Sequence, residues 1–324
     1  MIEAKIIKSH QRDFDCVILD TKEVIKATAL GNLLKKGETL VVGDNVQVEQ
    51  IQETSEYIIK AMHPRKNEIF RILVRESRKK VTASNCDYLV IVSSVHKPKF
   101  KRGIVDRFLV RAHQWGIEPL VVFNKMDKYD EDKLYIEYEE ERLSRLGVKC
   151  FEISALNEEY QHQYLNHGIE DFKNTLEGKT ALFLGQSGVG KSQTIMRLSE
   201  GQFELKTKKV GKGGKGSHTT TWSEIVDCGK FYLIDSPGIR SFSLDDIDPD
   251  HLIQFFPDLE AIAVRCEFSN CNHLPENKGC RFYTDEFDPQ TDEGLLVHSR
   301  LESYLLFHEE ISSTPMWQKD KKYQ

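Results

Sequence analysis

The chain has 324 residues, of which 39% are hydrophobic, enough for roughly two domains of ~150 residues each with at least one sizeable core. A net charge of −6 excludes a globally basic nucleic-acid binder, and the longest apolar runs, YLVIV and PLVVF, fall far short of the ~20 residues of a bilayer span, so neither export nor membrane insertion is expected. Seven cysteines, with three crowded around a histidine between positions 266 and 280, argue against a secreted disulfide framework and for a reducing cytoplasm.

Residues 1–66 read as short alternating strands parted by turns: EAKIIKS, FDCVILD, EVIKATAL, GETLVVGDNVQVEQI and SEYIIKAM. This spacing predicts an OB-like β-barrel, although an SH3-like barrel fits the same pattern, and by analogy with such barrels an RNA-binding role is expected of it. A basic flank follows. Residues 60–80 carry eight Lys and Arg against two Glu, suited either to phosphate contact or to a merely solvated face.

Over residues 75–244 the rhythm changes to apolar strands alternating with helical stretches, which predicts an α/β domain with a parallel sheet and crossover helices. The strands are YLVIVSS, PLVVFN, VKCFEIS, TALFLG, SEIVD and KFYLID. Asn124, Lys125 and Asp127 form NKMD at the end of PLVVF. A carboxylate at Asp127 can accept from the N1–H and exocyclic amine of guanine, donors that adenine lacks on that edge, so the motif favours GTP over ATP. Lys125 is expected to lie over the base and Asn124 to tie neighbouring segments together. Ser154 and Ala155, within ISA, would bring a backbone N–H toward the guanine oxygen.

Next comes GQSGVGKSQ: Gly185, Gln186, Ser187, Gly188, Val189, Gly190, Lys191, Ser192 and Gln193. It follows an apolar strand and opens a helical stretch, the context in which GxxxxGKS cradles phosphates. Lys191 would bridge the β- and γ-phosphates and Ser192 would ligate Mg²⁺. A threonine of HTTT, residues 219–221, can offer Mg²⁺ its hydroxyl, and His218 is the nearest candidate to orient water. In LIDSPG, Asp235 would hold Mg²⁺ through water and Gly238 would sense the γ-phosphate. Ile239 stands where many GTPases keep a glutamine, so slow intrinsic turnover is expected. The base-reading motif precedes the phosphate loop, an order that implies a circularly permuted P-loop GTPase domain.

Residues 245–324 are expected to form a mainly helical zinc-binding C-terminal domain. Cys266, Cys271, His273 and Cys280 stand as CxxxxCxHxxxxxxC, three thiolates and an imidazole, a tetrahedral set for one structural Zn²⁺ per chain. Cys16, Cys86, Cys150 and Cys228 lie in or beside apolar strands and read as core packing.

In the order NKMD, ISA, GQSGVGKS, HTTT, DSPG, between a small barrel and a Cys/His cluster, the chain resembles throughout its length the circularly permuted, ribosome small-subunit-dependent GTPases of bacteria, the RsgA family. The resemblance implies a cytoplasmic monomer that converts GTP to GDP with Mg²⁺. It also implies binding to the small ribosomal subunit and its rRNA, action late in maturation, and release after hydrolysis. Of Thr219, Thr220 and Thr221, the resemblance takes the central one, Thr220, as the magnesium threonine without deciding among the three. Two departures are Ser217, where the family usually has arginine, and one extra residue before Cys280. A GTP-gated RNA-binding module with negligible turnover is the alternative. An ATP-dependent kinase or transporter subunit is disfavoured by Asp127.

Overall fold

The computed structural model describes residues 1–10, 13–29, 39–51, 56–73, 78–200, 224–235 and 243–313. His218, Thr220 and Gly238, together with the rest of HTTT, Ser217 and Ile239, lie outside the described residues.

Side chains alternate between core and solvent along β1 (Ile2–His10), β2 (Asp13–Ile18), β3 (Val24–Ala29), β4 (Asn45–Gln50) and β5 (Tyr57–Met62). Ala4, Ile6, Phe14, Cys16, Val46, Val48 and Ile59 fill the interior. Pairing runs β1-β2-β3-β5-β4 and returns from β4 to β1, which leaves this five-stranded path without a free edge. The β3–β5 contact is parallel. This closed path is OB-like, as expected.

β8 (Tyr88–Ser94), β9 (Glu118–Asn124), β10 (Lys149–Glu152), β11 (Thr180–Leu184) and β13 (Tyr232–Asp235) form a parallel sheet in the order β10-β9-β8-β11-β13. Both faces are covered, which explains the near-continuous apolar strands. Leu89, Ile91, Val121 and Phe123 pack toward α1 (Arg102–Trp115) and α2 (Ile136–Ser144). Val90, Val92, Leu120 and Val122 pack toward α3 (Ile169–Leu176) and α4 (Lys191–Leu198).

Two elements depart from the all-parallel expectation. β12 (Glu224–Asp227) runs antiparallel to β13, because the connection over residues 228–231 is far too short for a crossover. β12 in turn meets β1 at Lys8↔Glu224, reinforced by an ion pair of 3.1 Å, so barrel and sheet become one eleven-stranded path. The described part of the basic run is also structured. β6 (Glu68–Leu73) and β7 (Arg78–Ser84) form an antiparallel hairpin that buries Ile69 and Ala83 and exposes Arg71, Lys79 and Lys80. The Trp115 indole N–H, at the end of α1, donates to Phe70 O at 2.9 Å and docks it.

Beyond residue 243, α5 (Pro257–Ala263) and α6 (Asp292–Ser313) enclose Leu252, Phe256, Leu259, Phe282, Tyr304 and Phe307, with Val110 of α1 in the same cluster. A buried charge fastens this layer to the sheet. Asp106 of α1 accepts from Arg142 Nη1 at 2.8 Å, Arg300 Nη1 at 2.6 Å and Ser303 Oγ at 2.6 Å, while Arg300 also reaches Asp258 at 2.9 Å. Desolvation alone would raise the Asp106 carboxyl, but Arg300 and Arg142 hold it below the ordinary carboxylate range. Its contribution to stability is therefore present above the unfolded-state value of ~4 and is lost only as pH falls through the lower folded-state value. Asp106→Ala, which strips two buried guanidiniums of a partner, should destabilise the protein by about 3–5 kcal/mol in urea unfolding at pH 7.

Candidate nucleotide site and metal cluster

Because β8, β9, β10, β11 and β13 are parallel, the loops leaving them emerge along one edge of the sheet, whatever their order in the chain. Register makes this concrete. Ser94 pairs with Asn124 and Phe123 with Glu152, so NKMD and ISA begin at a common level, while Leu184 pairs with Ile91, so the glycine-rich loop leaves the sheet two residues lower. Asp235, exposed at the carboxyl end of β13, follows Leu233, which pairs with Ala181 of β11.

The glycines of the loop are demanded by close approach. Gly185 has φ +151°, and a Cβ there would lie 2.2 Å from Val92 O. Gly190 has φ +99°, and a Cβ there would lie 2.3 Å from the Asn124 amide nitrogen. Buried Val189 anchors the loop, whereas Ser187, Gly188, Ser192 and Gln193 are exposed and Gln186 is half-buried. Lys191 Nζ donates to Gly185 O at 2.7 Å and Gln186 O at 3.1 Å, which holds its charge over the loop.

Asn124 joins three segments. Only 2% exposed, it donates through Nδ2 to Val189 O at 2.9 Å, and its Oδ1 accepts from Lys125 N at 2.8 Å and Ala155 N at 3.0 Å. The Ala155 N–H is thus given to Asn124. Lys125 has φ 67°, and its ammonium donates to Gly188 O at 2.7 Å and to Lys97 O. Burial and neighbouring Lys128 hold Lys125 below the ordinary lysine range. Asp127 is exposed, and its Oδ1 accepts from Ser154 Oγ at 2.6 Å, which orients the carboxylate.

Sequence reasoning missed the segment after β8. A shallow cleft beside the glycine-rich loop is lined by Ser93, Ser94, Lys99, Lys101, Gln186 and Val189. No motif marks this segment; its position after a central strand was the available signal.

The second cluster lies between α5 and α6. One ligand atom each from Cys266, Cys271, His273 and Cys280 falls within 4.8 Å of all the others, a separation that could hold one metal ion. His273 Nδ1 faces Cys266 Sγ at 3.7 Å and Cys280 Sγ at 3.9 Å, near the edge of about 3.6 Å that a tetrahedron of ~2.3 Å metal–sulfur and ~2.0–2.1 Å metal–nitrogen bonds requires. The extra residue before Cys280 does not displace it from the cluster. Burial pushes the Cys280 thiol up to about 12 and keeps the His273 imidazole neutral, so a cation is what would favour thiolate at Cys280. Cys16, Cys86, Cys150 and Cys228 are buried and apart from this cluster.

A glycine-rich loop opening a helix, hydrogen-bonded to an NKMD turn on one edge of a sheet strung in this order, defines a circularly permuted P-loop GTPase. The family model of RsgA GTPases matches residues 62–245. The small ribosomal subunit biogenesis GTPase RsgA of Flavobacterium psychrophilum is 33% identical over 84% of this chain and 81% of its own. Its namesake from Geobacillus sp. (strain WCH70) is 31% identical over 96% and 98%. Among solved structures, YjeQ from Thermotoga maritima superposes with a TM-score of 0.74 at 26% identity, covering 97% of this chain and 99% of its own. YloQ, described as a circularly permuted GTPase, gives 0.71 at 25% identity, covering 97% and 96%. The chain belongs to the RsgA GTPase family and is a GTP-hydrolysing enzyme.

Asn124→Ala leaves the Val189 carbonyl and the Ala155 N–H without their buried partner, and on the order of a 100-fold loss of GDP affinity is expected, at about 1–3 kcal/mol per unsatisfied group. Titration calorimetry with GDP checks it.

Proposed function

We propose that this protein binds the small ribosomal subunit, assists its late maturation in the cytoplasm, and leaves the particle when GTP is hydrolysed. The observation that carries the nucleotide part is the Asn124 bridge, which holds the base-reading turn and the glycine-rich loop against each other. The ribosomal part rests on the names of the relatives.

In this reading Asp127, oriented by Ser154, selects guanine, and the Lys125 stem covers the base. Lys191 and the backbone of residues 185–192 hold the phosphates. Ser192, in the first turn of α4, and Asp235, at the end of β13, present exposed oxygens of the kind Mg²⁺ takes. Mg²⁺ bound there would neutralise charge on the β- and γ-phosphate oxygens. Thr220, His218 and Gly238 would serve as magnesium ligand, water-orienting group and γ-phosphate sensor. Cys266, Cys271, His273 and Cys280 would hold one structural Zn²⁺.

The barrel and the basic run would face rRNA. Lys66, Arg71 and Lys80 are exposed and suited to phosphate. Arg65 is not. Its guanidinium is 11% exposed and donates to the buried Asp44 at 2.7 Å, so it fastens barrel to hairpin and drops out of the RNA-facing set.

Phosphate release measured with GTP or ATP, titrated with purified small and large ribosomal subunits, tests the reading. Stimulation of at least about tenfold, confined to GTP and small subunits, is expected; no stimulation, or equal stimulation by large subunits, overturns it. Elemental analysis should find one zinc per chain, and Cys271→Ser should lower both zinc content and melting temperature. Protein purified without chelator that holds no zinc would exclude the metal assignment.

A further inference from the structure

Asn124 holds the base-reading turn from the phosphate side. The opposite side is held by a second buried polar group, Glu152, the last residue of β10 and 1% exposed. Its Oε1 accepts from the Tyr160 hydroxyl at 2.5 Å and Gln163 N at 2.9 Å. Its Oε2 accepts from Tyr164 N at 2.9 Å and Leu165 N at 2.7 Å. Its own N–H donates to His167 O at 2.8 Å. These four partners are one phenol and three backbone N–H groups, so only an acceptor with two oxygens satisfies them. An amide in its place would aim donors at donors.

The segment so gathered reaches back to the base-reading turn. Tyr164 stands edge-on to Tyr129, with ring centroids 4.7 Å apart and planes at 70°. Tyr129 N donates to Met126 O at 3.1 Å, which closes the turn that carries Asp127. The Tyr129 hydroxyl donates to Leu134 O at 2.7 Å and accepts from Ile136 N at 3.1 Å, so this ring is fixed at both ends. Arg197 of α4 completes the frame, donating to Glu158 O at 3.0 Å and pairing with the Glu158 carboxylate at 2.8 Å.

We propose that Glu152 is a positioning residue for guanine selectivity: by gathering residues 160–165 behind Tyr129, it sets where the Asp127 carboxylate stands relative to the base. The proposal rests on the reading of Asp127 as the guanine-selecting group. Glu152 touches no nucleotide in this scheme. Its effect must therefore fall on recognition of the base edge and spare the phosphates.

Calorimetric titration of the full-length protein and its Glu152→Gln variant with GDP, IDP and ADP tests this. IDP lacks the exocyclic amine that Asp127 would accept from but keeps the N1–H, so the ratio of GDP to IDP affinity reports the carboxylate's contact with the amine. In Glu152→Gln, affinity for GDP should fall about tenfold and for IDP no more than roughly threefold, narrowing the ratio. Tyr160→Phe, which removes one of the four hydrogen bonds, should move the ratio in the same direction by less. If Glu152→Gln fails to fold, Tyr160→Phe and Tyr164→Leu decide by the same ratio. Folded variants whose GDP and IDP affinities stay unchanged, or fall by one common factor, overturn the proposal. Wild-type protein that does not prefer GDP to ADP would overturn the underlying reading of Asp127 as well, so the two failures are distinct.

Discussion

A single buried amide is the hinge on which the site turns. Asn124 must both donate and accept, because it faces a carbonyl of the glycine-rich loop on one side and two backbone N–H groups on the other. Aspartate lacks the donor and alanine lacks both, so no smaller or simpler group keeps three segments in register. Gly190 adapts the opposite wall: only a residue without a side chain lets the amide come so near. The NKMD turn and the glycine-rich loop are thereby linked through a few hydrogen bonds shielded from water, where each is harder to replace.

The permuted order costs the sheet nothing, since parallel strands align by side-chain packing on both faces and not by sequence proximity. What it changes is the connection beyond the sheet. In chain order, β13 is followed by the layer that contains the cysteine cluster. That layer is held at its start, where Arg111 of α1 binds Ser243 O and the Asp246 carboxylate at 2.6 Å, and at its end, where Arg300 and Ser303 bind Asp106. The two attachments lie on one helix, α1, which also carries the hairpin through Trp115. α1 thus fastens barrel flank, nucleotide sheet and metal layer as a common brace, and its polar contacts are buried deeply enough to resist salt screening.

Local chemistry made much of this legible beforehand. Period-two alternation marked the barrel strands, continuous apolar runs marked the doubly covered sheet, and GxxxxGKS, NKMD and the cysteine spacing each carried their meaning in a few neighbouring residues. The hairpin was less legible because its strands, Glu68–Leu73 and Arg78–Ser84, carry charges at so many positions that the buried Ile69 and Ala83 are outnumbered. Arg65 looked like its basic neighbours, and nothing near it announced that Asp44 would claim it.

The sequence by itself determined which elements form and which chemical groups the loops offer, because propensity, periodicity and motif spacing act over a few residues. Tertiary structure alone decided the pairings between distant segments: β12 turned antiparallel and stitched to β1, Ser154 set on Asp127, Ala155 given to Asn124, and Glu152 enclosed by residues 160–165. Those choices depend on which polar groups are sealed from water together, and a buried donor takes whichever acceptor the packed chain brings within reach.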